Sequence, residues 1–307
     1  MREEGRGNSE PREMTRRSFL TAAVAGVASA VAGKMGVAQT VPVRSHLLRA
    51  VGRADELVPR LGVASYSLRN FPRQQAIEMT KALGVRYINF KSVHLAYDAP
   101  PDEFATARAQ LAAAGLQLVG GGMITFETDT DDGVKKYFDY ARAAGMPVIV
   151  CTSKPGVLPR IEKFARQYDI GIAIHNHGPE DPDFPSPYDV LKAVKGMDRR
   201  MGLCIDWGHT VRAGAEVVRA TADAGARLLD MHAKDLRDFN SADSQCVVGE
   251  GKMPVVEIFR QLRSMRYQGY VNLEYEIEPD NPLPGMKQSF SYMRGVVAGL
   301  SGSSSAG

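Results

Sequence analysis

A strict alternation of strand-like and helix-like segments constrains the fold of this chain more than any other feature of the sequence. Eight segments of each kind follow one another between residues 61 and 298, and such alternation predicts a parallel sheet covered by helices. Eight repeats in about 250 residues predict a (β/α)₈ TIM barrel. The predicted strands are 61–66, 87–91, 116–120, 147–151, 170–175, 201–206, 228–232 and 270–276, and the predicted helices are 73–83, 102–114, 131–144, 157–167, 186–194, 213–224, 255–265 and 285–298.

Glycines support one barrel rather than two domains. Gly84, Gly115, Gly145 and Gly225 each close a predicted helix where a left-handed cap is expected. The rival fold is an open doubly wound sheet, which needs a phosphate-binding glycine fingerprint after the first strand, and residues 66–70 (YSLRN) do not supply one. We interpret the glycines at 120–122 as a tight turn where the backbone approaches substrate.

The first 38 residues are predicted to be a targeting segment. Arg16 and Arg17 lie in TRRSFL, which resembles the twin-arginine export motif, and an uncharged run of 15 residues (19–33) follows. A membrane helix needs about 20 such residues, and small residues at 36–38 suggest cleavage after Ala38, with an uncleaved anchor as the alternative. We therefore expect a signal peptide (1–38) read by the twin-arginine translocase, a linker (39–58), a barrel domain (59–300) and a flexible tail (301–307), in a periplasmic or extracellular protein.

The net charge of the chain limits the kinds of molecule it is expected to bind. The signal segment holds six of the 38 basic and four of the 35 acidic residues, so 32 and 31 remain and the mature net charge is +1. A nearly neutral surface argues against nucleic-acid binding, and the oligomeric state, including a homo-oligomer, stays open.

Cys151, Cys204 and Cys246 have no metal-type spacing. We expect buried free thiols, with a Cys151–Cys204 bridge as the alternative.

Polar side chains share one face at the carboxyl ends of the last four predicted strands. Side chains alternate along a strand, so His175 and His177 lie opposite Ile172 and Ile174. In the sixth predicted strand, Cys204 and Asp206 lie opposite Leu203 and Ile205. In the seventh, Asp230, His232 and Lys234 lie opposite Leu229 and Met231. In the eighth, Asn272, Glu274 and Glu276 lie opposite Val271, Leu273 and Tyr275. In a parallel barrel these strand ends form the functional site.

These strand ends predict a metal centre. Five of the six histidines lie at or just past the carboxyl ends of predicted strands, namely His94, His175, His177, His209 and His232. We predict that one divalent ion is bound by His175, Asp206, His232 and Glu274, one from each of the last four strands. Mixed imidazole and carboxylate ligation suits Mn²⁺, Zn²⁺, Fe²⁺ or Co²⁺ and disfavours Ca²⁺.

Five segments resemble the xylose-isomerase-like barrel superfamily, and within it the sugar phosphate isomerase/epimerase family. They are IAIHNHGPED, GLCIDWGHT, DMHAKD, VGEGKMP and GYVNLEYE, and the similarity covers about residues 60–298. The resemblance implies a metal held by Glu, Asp, His and Glu; Asp206, His232 and Glu274 match, while His175 replaces the first glutamate. It also implies an isomerase or epimerase that acts on a keto sugar or related polyol through an enediolate.

The departure at His175 bears on mechanism, because epimerases of this kind resemble one another in using two metal-bound glutamates on opposite faces of the enediolate. Here Glu274 remains as the base, and His177, His209 or Lys234 could be the proton donor or oxyanion partner. The alternatives are that Lys234 pairs with Asp230 or Asp235 and that His177 only orients a ligand.

Further substrate contacts are predicted for Lys91 and His94 at the end of the second strand, for Glu250 in a loop over the site, and for Trp207, which could stack on a sugar face or lie in the core. One rival function is a lyase resembling inosose dehydratases, which needs one base and one acid and so tolerates His175 better. An endonuclease of the same superfamily, which needs a multi-metal cluster, and a non-catalytic sugar-binding barrel are the less favoured readings.

Overall fold

Eight parallel strands close into a barrel, as the alternation predicts. The computed structural model describes residues 59–302, so the predicted signal peptide and linker and residues 303–307 of the tail lie outside the described residues. Each strand pairs with the next in sequence, and the last pairs with the first. The barrel strands are β1 Arg60–Ala64, β2 Tyr87–Phe90, β3 Gln117–Phe126, β4 Val148–Ser153, β5 Gly171–His175, β6 Met201–Asp206, β7 Leu228–Ala233 and β8 Tyr270–Leu273.

Helices follow the strands with two differences from prediction. A helix that was not predicted, α6, begins directly at the end of β6 and precedes the predicted sixth helix, and the last helix continues past its predicted end at residue 298 to Gly302. Within residues 59–302 no helix combines the length and apolarity needed to cross a membrane. The helices are α1 Arg73–Ala82, α2 Pro101–Ala114, α3 Asp131–Ala144, α4 Leu158–Tyr168, α5 Pro187–Ala193, α6 Trp207–Arg212, α7 Val217–Ala224, α8 Val255–Ser264 and α9 Leu283–Gly302.

The two faces of each strand serve different purposes. Ile172 and Ile174 belong to the large apolar core, whereas Ala173 belongs to a small separate cluster with Val150 and Cys204. Side chains of alternate parity therefore enter the barrel interior or pack toward the helices. This arrangement leaves the interior free for polar groups at the carboxyl end.

One parity prediction is wrong. Leu229 packs against the interior cluster instead of lying opposite Asp230. The reason is a register shift between β6 and β7, where Leu203 pairs with Leu228 but Cys204 pairs with Asp230. The extra residue on β7 is Leu229, and a bulge of this kind cannot be read from alternation alone.

The glycines at 120–122 lie inside β3 and do not form a tight turn. A side chain at Gly121 would clash with the Met146 sulfur, and one at Gly122 would clash with the Val150 carbonyl oxygen. Gly122 also has a φ of +146°, a conformation that other residues rarely adopt. These glycines therefore allow close approach between β3 and its neighbours, and the turn prediction is corrected.

All three cysteines are buried and free. Cys151 lies in the outer core and Cys204 in the interior cluster. The alternative of a Cys151–Cys204 bridge is therefore wrong, because the two side chains lie on opposite faces of the barrel wall.

Candidate metal centre at the carboxyl end of the barrel

The four predicted metal ligands converge inside the barrel mouth. His175 ends β5, Asp206 ends β6, His232 is the penultimate residue of β7, and Glu274 directly follows β8. One ligand atom from each lies within 4.8 Å of the others, and the first three residues are buried. The register places His232 level with Asp206 on one side and with Asn272 on the other. Four different strands thus bring these side chains to one point.

The end of β6 presents one Asp206 oxygen to this cluster. Oδ1 accepts a hydrogen bond from the His209 N–H (2.8 Å) and so caps α6. The Asp206 N–H donates to Asn176 Oδ1 (3.1 Å), and Asn176 Nδ2 donates to Thr210 Oγ1 (3.1 Å). Oδ2 is buried and has no hydrogen-bond partner among residues 59–302. The cap therefore leaves one carboxylate oxygen available as a ligand.

The backbone around Glu274 is held from both sides. The Ser67 hydroxyl donates to the Leu273 carbonyl (3.1 Å) and accepts from the Tyr275 N–H (2.8 Å). The Gln245 amide donates to the Glu274 carbonyl (2.6 Å) and accepts from the Glu276 N–H (2.9 Å). Glu274 directly follows β8, and its N–H still donates to the Ala233 carbonyl of β7 (3.1 Å), so these side chains add to the sheet in positioning it.

Lys234 forms ion pairs with three carboxylates at this centre. Its Nζ lies 3.4 Å from Asp206 Oδ2, 3.1 Å from Glu274 Oε2 and 2.6 Å from Glu276 Oε2. Although burial disfavours the ammonium, the three carboxylates raise the pKa of Lys234 well above its ordinary value. The alternative that Lys234 pairs with Asp230 or Asp235 is therefore wrong; Asp235 accepts instead from the N–H groups of Gly249, Gly251 and Met253.

The two histidines have different protonation states. Burial lowers the pKa of His175 to about 3, so its imidazole is neutral. Although burial opposes it, Cys204 and Glu274 raise the pKa of His232 well above its ordinary value, and His232 Nδ1 lies 3.2 Å from Glu274 Oε2 and 3.1 Å from His175 Nε2. A bound cation would displace the proton that His232 shares with Glu274.

These residues fit a divalent cation. Buried Asp206 Oδ2 has no hydrogen-bond partner among the described residues, although buried polar atoms are normally satisfied. The imidazole nitrogens that face the carboxylates are His175 Nε2, 3.7 Å from Asp206 Oδ2, and His232 Nδ1, 3.2 Å from Glu274 Oε2. The donor set of two imidazoles and two carboxylates is one that Mn²⁺, Zn²⁺, Fe²⁺ or Co²⁺ accepts. His175, Asp206, His232 and Glu274 would hold such an ion.

We expect Gln245→Ala to weaken metal binding about 10–100-fold, the range found when partners that orient a ligand are removed. The variant removes the hydrogen bonds from Gln245 to the backbone of Glu274 and Glu276 but leaves the four predicted ligand side chains unchanged. Isothermal titration of the metal-free protein with Mn²⁺ measures the change. Gln288→Ala is the matched control, since Gln288 donates only to exposed Glu250, and an equal loss in both variants would contradict the positioning role.

Two cavities meet at His209, which lines both. The larger, about 640 Å³, also borders His177 and the loop carrying Glu180, Asp181 and Asp183. The smaller, about 480 Å³, borders Lys234 and Glu276. Burial lowers the pKa of His209, so its imidazole is neutral near pH 7. The centre of the His177 ring lies 4.6 Å from that of His175, with the two planes tilted by 58°, and His177 Nδ1 lies 3.4 Å from Asp181 Oδ2.

The structure places three predicted substrate contacts outside the lining of both cavities. Trp207 is fully buried and packs edge-on against Phe259, so it belongs to the core. His94 is buried, with its ring nitrogens bonded to Ser65 Oγ (2.8 Å) and the Leu68 carbonyl (3.2 Å). Glu250 is exposed and pairs with Arg237 at 2.9 Å, away from both cavities.

Lys91 remains a candidate for substrate contact. Its Nζ lies 5.2 Å from the centre of the Tyr66 ring and 3.5 Å from the Met123 carbonyl oxygen. Burial lowers its pKa, while Glu274 and Glu276 act in the opposite direction. Lys91 is thus a partly buried amine whose pKa is affected by the carboxylates of Glu274 and Glu276.

Sequence reasoning missed the residues that orient the ligands. Asn176 stands between His175 and His177, so its place in the strand-end segment was a signal. Ser67 and Gln245 lie far from Glu274 in the sequence, at separations of 206–208 residues to its neighbours and 29 residues to Glu274 itself. A polar side chain at these two positions does not by itself indicate a contact near Glu274.

Residues 73–296 match the family described as xylose isomerase-like TIM barrel. The rhizopine catabolism protein MocC of Rhizobium meliloti is 26% identical over 133 residues, which are 38% of this chain and 40% of MocC. The chain spans about two fifths of the length of the curated relatives it matches.

Solved structures share the fold. A D-psicose 3-epimerase of Clostridium cellulolyticum, crystallised with D-tagatose, has a TM-score of 0.64 at 15% identity, covering 78% of this chain and 99% of that one. A probable 3-DHS dehydratase of Bacillus anthracis has a TM-score of 0.62 at 13% identity, covering 76% and 98%. At this identity the likeness concerns the fold alone.

Proposed function

Because this chain belongs to the xylose isomerase-like TIM barrel family, we propose that it is a divalent-metal-dependent isomerase or epimerase acting on a keto sugar or a related polyol through an enediolate. One observation carries the proposal: four ligand atoms from four strands converge within 4.8 Å, beside cavities of a size suited to a small molecule. Similarity in fold to a D-psicose 3-epimerase supports the substrate class.

The side chains around this point divide the work. When bound, the metal supplies Lewis acidity that makes a C–H bond next to a carbonyl easier to ionise. Glu274 is the base, since Lys234 and His232 hold it as a carboxylate although burial opposes this. Lys234 is a fixed cation that stabilises negative charge, because its contacts keep it protonated. His209, which is neutral and borders both cavities, is the oxyanion partner, because its N–H can donate a hydrogen bond to the developing negative charge.

A lyase is the second candidate, and His175 is the observation that favours it. With an imidazole in place of a glutamate, the described cluster holds only one carboxylate, Glu274, that is free of a cap. Removal of a proton followed by loss of a β-oxygen substituent needs only one base and one acid. The likeness in fold to a probable dehydratase is consistent with this chemistry.

Deuterium exchange across a panel of keto sugars tests the proposal. Protein purified without chelator is first measured for bound metal and then incubated with each sugar in D₂O. Exchange with formation of an isomeric sugar supports the isomerase, and exchange with eliminated water or aglycone supports the lyase. Bound metal without exchange on any sugar would contradict both and favour a non-catalytic sugar-binding barrel.

Export is a separate proposal that rests on the first 38 residues. We expect the double substitution Arg16→Lys and Arg17→Lys to retain the protein in the cytoplasm, because the paired arginines are what the translocase receptor reads. Immunoblots of cytoplasmic and periplasmic fractions measure the distribution. Arg2→Lys with Arg6→Lys is the control, and undiminished export of the Arg16/Arg17 variant would indicate another route.

A further inference from the structure

A thiol lies beside the metal ligands and takes no part in the proposed reaction. Cys204 is fully buried on β6, two residues before Asp206. One ligand atom from each of His175, Cys204 and His232 lies within 4.8 Å of the others. Neither Cys151 nor Cys246 belongs to such a group within residues 59–302. Cys204 is therefore distinguished from the other two cysteines by its neighbours.

The strand register explains this placement. On one side of β6, Cys204 is level with His175 of β5. On the other side the register shifts, so that Asp206 is level with His232 of β7. The interior thus carries two layers of donors: the carboxylates of Asp206 and Glu274 toward the barrel mouth and the Cys204 thiol below them. The two histidines border both layers.

Each histidine has a nitrogen to spare. His175 is 2% exposed and His232 3% exposed, and His175 Nδ1 and His232 Nε2 have no hydrogen-bond partners in the described part of the chain. A nearly dry site with two imidazoles and one thiol is the donor set that Zn²⁺ and softer cations prefer. Mn²⁺, by contrast, prefers the oxygen layer above.

We propose that His175, Cys204 and His232 form a second cation site, deeper in the barrel than the oxygen ligands, for thiophilic divalent cations such as Zn²⁺ or Cd²⁺. The two sites share both histidines and are alternative positions for a single ion. On binding, the Cys204 S–H bond breaks, a sulfur–metal bond forms, and the proton leaves to solvent. The proposal does not depend on which reaction the enzyme catalyses.

Titration of the metal-free full chain with Cd²⁺ tests this site, followed through the ultraviolet thiolate-to-cadmium charge-transfer band. We expect the band to saturate at one equivalent. It should persist in the double variant Cys151→Ala, Cys246→Ala, in which Cys204 is the only cysteine of the three. It should be lost in Cys204→Ser.

Several results would overturn the proposal: no band in the wild-type protein, loss of the band in the double variant, or its survival in Cys204→Ser. The double variant retains the native thiol, so the test does not depend on whether Cys204→Ser folds. Mn²⁺ titration separates this proposal from the metal centre. Mn²⁺ binding without any Cd²⁺ band would reject the thiol site alone, and a Cd²⁺ band without Mn²⁺ binding would reject the oxygen site alone.

Discussion

Replacing Glu274 with glutamine is expected to remove nearly all turnover while much of the bound metal remains. General base catalysis contributes about 100–10,000-fold to a rate, so we expect at least a 100-fold loss of C–H exchange. The amide keeps an oxygen that can face the metal. The backbone bond from Gln245 to residue 274 and those of Ser67 to the neighbouring residues 273 and 275 also remain. The amide cannot accept the substrate proton. Deuterium exchange on metal-loaded protein, normalised to metal content from elemental analysis, measures the effect.

Glu276→Gln is the matched control for this prediction. Glu276 also contacts Lys234, at 2.6 Å, but is not among the ligand atoms. We expect its turnover to fall less than about tenfold, far below the loss expected of a base. If Glu274→Gln retains most of its exchange rate with metal bound, Glu274 is not the base and the role assigned to the end of β8 is wrong.

Asp206→Ala and His232→Ala are each expected to abolish Mn²⁺ binding. Asp206 supplies the one oxygen at the centre that is fully buried and without a hydrogen-bond partner among residues 59–302, and His232 lies between His175 and Glu274. Removing either leaves three donors in an interior that water does not readily fill. Isothermal titration and elemental analysis of dialysed protein measure the loss.

Asp230→Asn is the control for metal binding. Asp230 is a buried interior carboxylate of the same strand as His232, but it accepts from Asn272 Nδ2 at 2.8 Å and belongs to neither ligand group. Burial raises its pKa to about 6, and the amide keeps the size of the side chain and one oxygen that can accept from Asn272. We expect near-normal Mn²⁺ affinity. Stoichiometric Mn²⁺ in both Asp206→Ala and His232→Ala would show that the ligand assignment is wrong.

The barrel and the four converging side chains could be predicted from sequence because both depend on local periodicity. A strand alternates its side chains with a period of two whatever its neighbours are. His175, Asp206 and Glu274 were therefore expected to lie on the interior face of the barrel, at the carboxyl ends of their strands. In a closed parallel barrel all of those ends meet at one rim, so local parity was sufficient to bring the ligands together.

What lies next to each ligand was decided only by the tertiary structure. The bulge at Leu229 shifts β7 against β6 by one residue, which places His232 level with Asp206. The register between β5 and β6 places His175 level with Cys204. Ser67 and Gln245 reach Glu274 only because the barrel closes and the loop after β7 folds back. Register and loop closure are set by packing between distant segments, and no local pattern carries that information.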